Sequence, residues 1–177
     1  GRRIRDLVDM GTGTGRVLEV LAPHVERAVG IDLSREMLAV ARANLERAGL
    51  RHCMVRQGDI TQLPLPAASA DAVTLHQVLH YAAEPALLVA EAARVLKPDG
   101  LLVVVDFAPH DQETLRDQHA HRRLGFADDE VTRWFAAAGL VPDGVTRLPG
   151  KPLTVVLWRA RRLPETAKTI ENQGASA

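Results

Sequence analysis

The 177-residue sequence is poor in cysteine, in aromatic side chains and in net charge. Cys53 is the only cysteine, so neither an intrachain disulfide nor a thiolate metal cluster can form, and we expect a reducing, cytoplasmic setting. Aromatic residues make up 3% of the chain, which argues against a stacking surface for bases or a membrane-interface belt. Basic and acidic residues balance at 22 each, so charge gives no reason to expect nucleic acid or membrane as a partner.

Long apolar runs are also missing. A membrane-spanning helix needs roughly 20 apolar residues, and no segment approaches that length. The chain opens on a strand-like segment without a signal peptide, and we expect that another segment precedes it in a longer protein. We predict one domain over residues 1–162 and a disordered tail over residues 163–177, where no structural period is visible.

Short apolar runs alternate with helical periods, a pattern that is typical of a parallel sheet covered by helices. Ser34 and Gly49 predict the start and the end of one helix, and Pro85 predicts the start of another. The residues Lys97–Gly100 then predict a turn. The predicted parallel strands are residues 6–10, 28–32, 53–56, 70–75 and 101–107.

The last third of the chain has a different character. Residues 110–125 are charged on every side, and they predict an acceptor pocket, a protein interface or a solvated surface helix. Within them, His119 and Arg122 are three apart and could together hold an anionic group. Asp128 is predicted to cap a helix that Gly139 ends. Two strands, 141–148 and 153–160, are predicted to close the fold as a hairpin.

A glycine-rich loop, Asp9-Met-Gly-Thr-Gly-Thr-Gly15, leaves the first predicted strand and opens a helix. Its glycines permit a tight turn and let a ligand lie against bare backbone. In the dinucleotide fingerprint the third glycine would fall at Arg16, so the spacing here is different. Asp9 would repel a pyrophosphate but would favour the ammonium group of a sulfonium nucleoside with an amino-acid tail. The alternative is a glycine-rich turn without a ligand.

Two further acids follow predicted strands. Asp32 ends the second strand, near the roughly 20-residue offset at which an acid meets ribose hydroxyls. The alternative role for Asp32, a helix cap, is already filled by Ser34. Asp59 lies in Gly58-Asp59-Ile60 after the third strand, where it could accept from an exocyclic amine while Ile60 packs against adenine. The alternative for Asp59 is a turn-forming aspartate.

Four segments together resemble class I S-adenosylmethionine-dependent methyltransferases of the UbiE-like kind. They are Leu7–Gly15, Val29–Leu38, Gly58–Ile60 and Leu96–Gly100, and the resemblance covers roughly residues 5–107. It implies a three-layer, Rossmann-like α/β fold with sheet order 3-2-1-4-5-7-6 and an antiparallel seventh strand. Members usually carry one or two helices before the first strand that help to cover the cofactor.

The resemblance also implies the cofactor, S-adenosyl-L-methionine, and its product, S-adenosyl-L-homocysteine. It places Asp9 near the methionine amino group, Asp32 on the ribose hydroxyls and Asp59 on the adenine amine. The full predicted cofactor-binding set is Asp9, Gly11, Thr12, Gly13, Gly15, Asp32, Leu33, Met37, Gly58, Asp59, Ile60, His76 and Gln77.

Residues that could contact the methyl acceptor follow the fourth predicted strand, in His76-Gln-Val-Leu-His80-Tyr81. His76 and His80 are the predicted catalytic residues because, four apart on a helix, they would share a face and could act as a base. Alternatively, His76 packs beside the cofactor and His80 hydrogen-bonds a neighbouring loop. No spacing of carboxylate and histidine predicts a metal site. We predict a methyltransferase whose acceptor, unassigned here, is a small molecule.

A second resemblance gives a function of a different class. Residues 110–126, Ile31–Arg42 and His76–Tyr81 also resemble bacterial proteins in which a methyltransferase domain follows an ArsR-type winged-helix DNA-binding domain. Some of these are similar to regulators that sense S-adenosylhomocysteine. This resemblance implies an N-terminal winged-helix domain as a partner and a sensing domain without turnover as the alternative function. A homodimer is a further predicted partner arrangement.

Overall fold

A seven-stranded sheet forms the centre of the molecule. The computed structural model describes residues 4–115 and 121–164. The strands are β1 (Ile4–Met10), β2 (Val25–Asp32), β3 (Cys53–Gln57), β4 (Ala70–His76), β5 (Leu96–Phe107), β6 (Leu140–Leu148) and β7 (Val155–Arg162). Their order is β3-β2-β1-β4-β5-β7-β6. Strands β1 to β5 pair in parallel, and β7 is antiparallel to both β5 and β6, which confirms the predicted sheet order.

Helices cover both faces of the sheet. They are α1 (Arg16–Leu21), α2 (Arg35–Arg47), α3 (Pro85–Val95) and α4 (Asp128–Ala137), with single 3₁₀ turns at Ala22–His24 and Leu79–Tyr81. Leu7 packs in an apolar cluster with α1 and α2, and its neighbour Val8 packs in the cluster that contains α3 and α4. Adjacent strand residues point to opposite faces, so the fold has the three predicted layers.

Local signals set most element ends as predicted, but Asp128 is an exception. Ser34 caps α2, and its Oγ accepts from the Met37 N–H at 3.2 Å. The N-cap of α4 is Ala127, not Asp128, and it makes no side-chain cap. The Asp128 carboxylate instead accepts from Trp158 Nε1 at 2.8 Å. Trp158 is fully buried, and its N–H needs an acceptor, so this long-range partner takes the place of the cap.

Strand β5 begins five residues earlier than predicted. It starts at Leu96, which pairs with Ala70, and the register shifts before Ala72 pairs with Leu101. The predicted turn residues therefore form a bulge inside the strand, where Asp99 has a φ of 61°. Within the described ranges, no helix is long and apolar enough to cross a membrane. The predicted tail lies outside the described residues from residue 165 onward, and the predicted domain end at 162 stays a prediction.

Candidate active site

The predicted site segments meet at one edge of the sheet. Because β1, β2, β3 and β4 run in parallel, their carboxyl ends lie side by side. The glycine loop, Asp32, the segment Gly58–Ile60 and the segment His76–Tyr81 each lie at one of these ends or directly after it. In open α/β sheets this edge is where ligands bind.

The glycine loop wraps around the end of β2. The N–H groups of Gly11 and Thr12 donate to the Ile31 carbonyl at 2.8 and 3.1 Å. A Cβ on Gly11 would lie 2.6 Å from Val78 Cγ2, so the loop packs tightly against the segment that follows β4. Gly13 has a φ of 52°, and a Cβ there would meet nothing within 4 Å. The backbone at Gly13 is therefore bare toward open space, as binding of a ligand against it requires.

Asp32 stabilises the conformation of this loop through hydrogen bonds. Its Oδ2 accepts from the Gly13 N–H at 2.8 Å, and its Oδ1 accepts from the Ser34 N–H at 2.9 Å. Each carboxylate oxygen can accept more than one hydrogen bond, so these contacts leave capacity for a ligand hydroxyl. The sequence did not predict the contact between Asp32 and the glycine loop.

Asp9 is a buried carboxylate with one unpartnered oxygen. It is 1% exposed, and its Oδ1 accepts from Thr74 Oγ1 at 2.6 Å. Among the described residues, Asp9 Oδ2 and Thr12 Oγ1 have no hydrogen-bond partner. Burial raises the pKa of Asp9 to about 6. The hydrogen bond from Thr74 opposes this increase, and the charge of Asp32 adds to it. Buried polar atoms are nearly always paired, so these two atoms fit a ligand with a polar, cationic group.

A mainly apolar groove of about 280 Å³ extends from the loop after β2 to α3, and its lining includes Leu33, Asp59, Ile60, Val78, Tyr81, Glu84 and Leu87. Leu33 is 61% exposed, so its apolar side chain remains open to a ligand here, and Met37 in the first turn of α2 is 47% exposed. Oδ1 of Asp59 accepts from both the N–H and the Oγ1 of Thr61, which lower its pKa. Asp59 therefore does form a turn, as the alternative interpretation proposed. Two larger grooves, of about 510 and 480 Å³, contain none of the predicted site residues.

The two candidate catalytic histidines do not share a helix. His76 is the exposed last residue of β4, and the backbone then turns at Gln77, whose φ is 54°. His80 lies in a 3₁₀ turn and is 2% exposed. The helical argument for pairing His76 with His80 is therefore wrong, because β4 continues to His76 and Gln77 redirects the chain. The His80 carbonyl accepts from the N–H of Arg122 at 2.8 Å, a contact with a neighbouring loop.

A buried cluster around His80 was not predicted. His80 Nδ1 lies 2.8 Å from Asp106 Oδ1, and Asp106 is fully buried near the end of β5. The His80 ring stacks on His121 with centroids 4.0 Å apart and lies 5.5 Å from Phe107. One sequence signal could have identified Asp106, since it is a charged residue directly after the three valines of a buried strand.

The charged segment after β5 is partly described. Residues 121–125 are not helical, and His121 is buried, so a solvated surface helix is wrong for this part. His119 lies outside the described residues, and so does the predicted pairing of His119 with Arg122. Among the residues that are described, no group of three histidine, cysteine, aspartate or glutamate side chains is arranged to hold a metal ion.

Comparison with known proteins identifies a family. Residues 8–104 match the family model described as "Methyltransferase domain". The chain is 34% identical over 106 residues to the uncharacterized methyltransferase YcgJ of Bacillus subtilis, covering 59% of this chain and 42% of that protein. It is 33% identical over 140 residues, 76% of this chain and 51% of the other, to a Mycolicibacterium smegmatis protein named "Probable S-adenosylmethionine-dependent methyltransferase". It is 32% identical over 149 residues to the demethylmenaquinone methyltransferase of Thermus thermophilus, a match that covers 81% of this chain and 67% of that protein.

Solved structures share the fold. The crystal structure of YcgJ from Bacillus subtilis superposes with a TM-score of 0.79 at 20% identity, covering 92% of this chain and 93% of that one. The crystal structure of a [4+2]-cyclase, SpnF, also superposes with a TM-score of 0.79 at 20% identity. The match covers 90% of this chain and 75% of that one. The fold by itself therefore does not determine the reaction.

The chain spans about half the length of the first two curated relatives named above. On the family match and these relatives, the chain belongs to the methyltransferase-domain family of class I, S-adenosylmethionine-dependent methyltransferases.

Proposed function

We propose that this domain transfers a methyl group from S-adenosylmethionine to a small-molecule acceptor. The observation that carries the proposal is the cradle at the carboxyl edge of the sheet. There the N–H of Gly13, a residue at which a Cβ would meet nothing within 4 Å, donates to Asp32 Oδ2 at 2.8 Å. Among the described residues, the buried Oδ2 of Asp9 has no hydrogen-bond partner. A ligand with hydroxyl groups and an ammonium group would satisfy these atoms.

Each part of the cradle suits one part of the cofactor. Asp32 would accept from the ribose hydroxyls, and Asp9 would face the methionine ammonium together with Thr12. Asp59 would accept from the adenine amine, with Leu33 and Ile60 against the ring. The remaining predicted cofactor-binding residues lie in the same segments or beside them: Gly11, Gly13, Gly15, Met37, Gly58, His76 and Gln77.

The cofactor supplies an activated methyl group on a sulfonium centre. The part of this chain is to hold the acceptor nucleophile about 3 Å from that group and in line with the breaking bond. Exposed His76 could contact an acceptor directly from the end of β4. Buried His80 is the stronger candidate for a base because Asp106 holds its ring.

A small acceptor and turnover are favoured over the alternatives. The Thermus thermophilus relative is named for a small-molecule substrate, and the balanced charge of the chain gives no reason to expect a nucleic acid acceptor. None of the curated relatives named above is named as a regulator, so we propose catalysis and not sensing. The winged-helix domain and the homodimer stay predictions.

Calorimetric titration with S-adenosylmethionine tests the proposal. We expect Asp32→Ala to weaken binding by about 10- to 100-fold, because charged hydrogen bonds to the ligand and the fastening of the glycine loop are both lost. Asp129→Ala is the matched control, since Asp129 is exposed and, among the described residues, its ion pair lies within α4, with Arg133 at 2.6 Å. Unchanged binding in Asp32→Ala, or no binding by the unmodified chain, would overturn the proposal.

A further inference from the structure

The His80 cluster has the construction of a histidine–carboxylate base. His80 Nδ1 lies 2.8 Å from Asp106 Oδ1, and the Asp106 carboxylate accepts from the Phe107 N–H at 2.9 Å and from the His80 N–H at 3.3 Å. These three contacts fix the carboxylate in a buried site. A carboxylate held in this way orients the ring that it contacts.

The contact with Asp106 assigns the tautomer of His80. With Asp106 as the acceptor, Nδ1 of His80 carries the proton that points at Asp106. The assignment follows from the hydrogen-bond network. In the neutral ring Nε2 then has a free lone pair. Among residues 4–115 and 121–164, no hydrogen bond to this Nε2 is found.

Aromatic side chains surround the pair of His80 and Asp106. Tyr81 lies 4.1 Å from the His80 ring and is half exposed, and Phe107 lies 5.5 Å from it. His110 packs edge-on to Phe107, and its Nε2 is buried without a partner in the described part of the chain. An orphaned buried nitrogen indicates a missing polar group. Val78, two residues before His80, packs on Gly11, so the cluster adjoins the cofactor cradle.

We propose that Asp106 is a positioning residue that holds His80 with Nε2 ready to accept the proton of a hydroxyl group on a planar, phenol-like acceptor. This inference rests on the proposed methyltransferase function. The acceptor oxygen forms its bond to the methyl carbon as the C–S bond breaks onto sulfur. The hydroxyl proton moves to His80 Nε2, and the imidazolium formed is stabilised by Asp106.

A hydroxyl fits this site better than an amine. A neutral amine already has a nucleophilic lone pair and can lose its proton after transfer. A hydroxyl oxygen is a weak nucleophile until its proton is removed, so it needs a base in place as the bond forms. The chain provides that base in a buried position, flanked by aromatic rings.

Nitrogen NMR of the histidine rings tests the role of Asp106 without any turnover. In the unmodified chain, His80 should be the tautomer with a proton on Nδ1. In Asp106→Asn, the amide can donate to Nδ1, and the proton should move to Nε2. Asp71→Asn is the control, because Asp71 is also buried but accepts from the N–H groups of Arg5 and Asp6 at the opposite end of β4. A proton on Nε2 in the unmodified chain would overturn the inference.

Binding of 4-nitrophenol and of its methyl ether, 4-nitroanisole, tests the acceptor class. With S-adenosylhomocysteine present, calorimetry should show that the phenol binds about tenfold more tightly, a difference of one hydrogen bond. Asp106→Asn and His80→Gln should remove this preference, and Asp71→Asn should keep it. Equal binding of the two probes, or binding of neither, would overturn the hydroxyl assignment, and this comparison in the unmodified chain does not depend on the folding of any variant.

The two proposals can fail separately. If S-adenosylmethionine does not bind the unmodified chain, the methyltransferase proposal fails whatever the state of His80. If S-adenosylmethionine binds but His80 carries its proton on Nε2, or the phenol is not preferred, only the acceptor proposal fails.

Discussion

At the scale of single residues, the three acids of the cradle differ in their surroundings. Asp59 is exposed and accepts two hydrogen bonds from Thr61, so its pKa is lowered. Asp32 is partly buried and accepts two backbone N–H groups. Asp9 is buried with one oxygen unpartnered, and burial raises its pKa to about 6. The ionised form of Asp9 therefore destabilises the fold until a cation lies beside it.

This difference predicts how stability depends on pH. The folded-state pKa of Asp9, about 6, lies above its ordinary value of 3.8, so the folded chain holds the proton more tightly. Stability is then lost as the pH rises from about 4 through 6. Asp9→Asn should avoid this loss, so its stability relative to the unmodified chain should rise by about 1–3 kcal/mol over that interval. Urea unfolding at several pH values measures this difference.

Asp59→Asn is the control for the Asp9 prediction. The pKa of Asp59 is lowered in the folded chain, so its contribution to stability is present above the ordinary pKa and is lost as the pH falls. The stability of Asp59→Asn relative to the unmodified chain should therefore fall as the pH rises toward the ordinary pKa, and it should stay constant between about pH 4 and 6. If the stability of Asp9→Asn relative to the unmodified chain did not change between about pH 4 and 6, the result would contradict the raised pKa of buried Asp9.

At the scale of elements, local signals predicted what depends on neighbouring residues. The cap of α2 by Ser34 is confirmed because Met37, its partner, is three residues away. Predictions failed where a distant group competes for the same side chain or backbone. Asp128 accepts from Trp158, 30 residues away, and His80 meets Asp106, 26 residues away. Periodicity in the sequence does not indicate such contacts. His80 was therefore predicted as a site residue, but its partner Asp106 was not.

The glycine loop gives a prediction at the scale of an element. Gly13 and Gly49 have φ values of 52° and 68°, and a Cβ on either would meet nothing within 4 Å. Replacing either by alanine should cost about 1–2 kcal/mol of stability, because both positions are left-handed. Only Gly13→Ala should also weaken S-adenosylmethionine binding, by about tenfold or more, since its Cβ enters the space proposed for the ligand. Thermal unfolding and calorimetry on both variants measure the two effects.

Gly49→Ala shares the backbone cost of Gly13→Ala but lies after α2, away from the cradle. Equal binding of S-adenosylmethionine by both variants would show that no ligand lies against Gly13. Loss of binding in both would show that the effect comes from destabilisation alone.

At the scale of the whole molecule, the resemblance of four short segments was sufficient to predict the sheet order. The connection from β3 to β4 was not predictable in the same way. Within it, the Leu63 N–H donates to Glu91 Oε1 at 2.6 Å, and Arg94 donates to the carbonyl of Leu65 at 3.0 Å. A buried carboxylate on α3 thus holds the loop that carries Asp59. Such a contact depends on how α3 packs, which the order of elements does not specify.

The charge around the cradle predicts which ligand the whole domain prefers. The groove is lined by Asp59 and Glu84 and, among the described residues, by no basic side chain. Asp32 directly precedes the lining residue Leu33, and its charge acts on Asp9. These acids favour a positive ligand. S-adenosylmethionine carries a sulfonium charge that S-adenosylhomocysteine lacks, so it should bind at least as tightly, and any preference should shrink with added salt. Calorimetry with both ligands at low and high salt measures the ratio. A preference for S-adenosylhomocysteine beyond about tenfold, or 1.4 kcal/mol, would contradict this account and would favour a sensing domain over an enzyme.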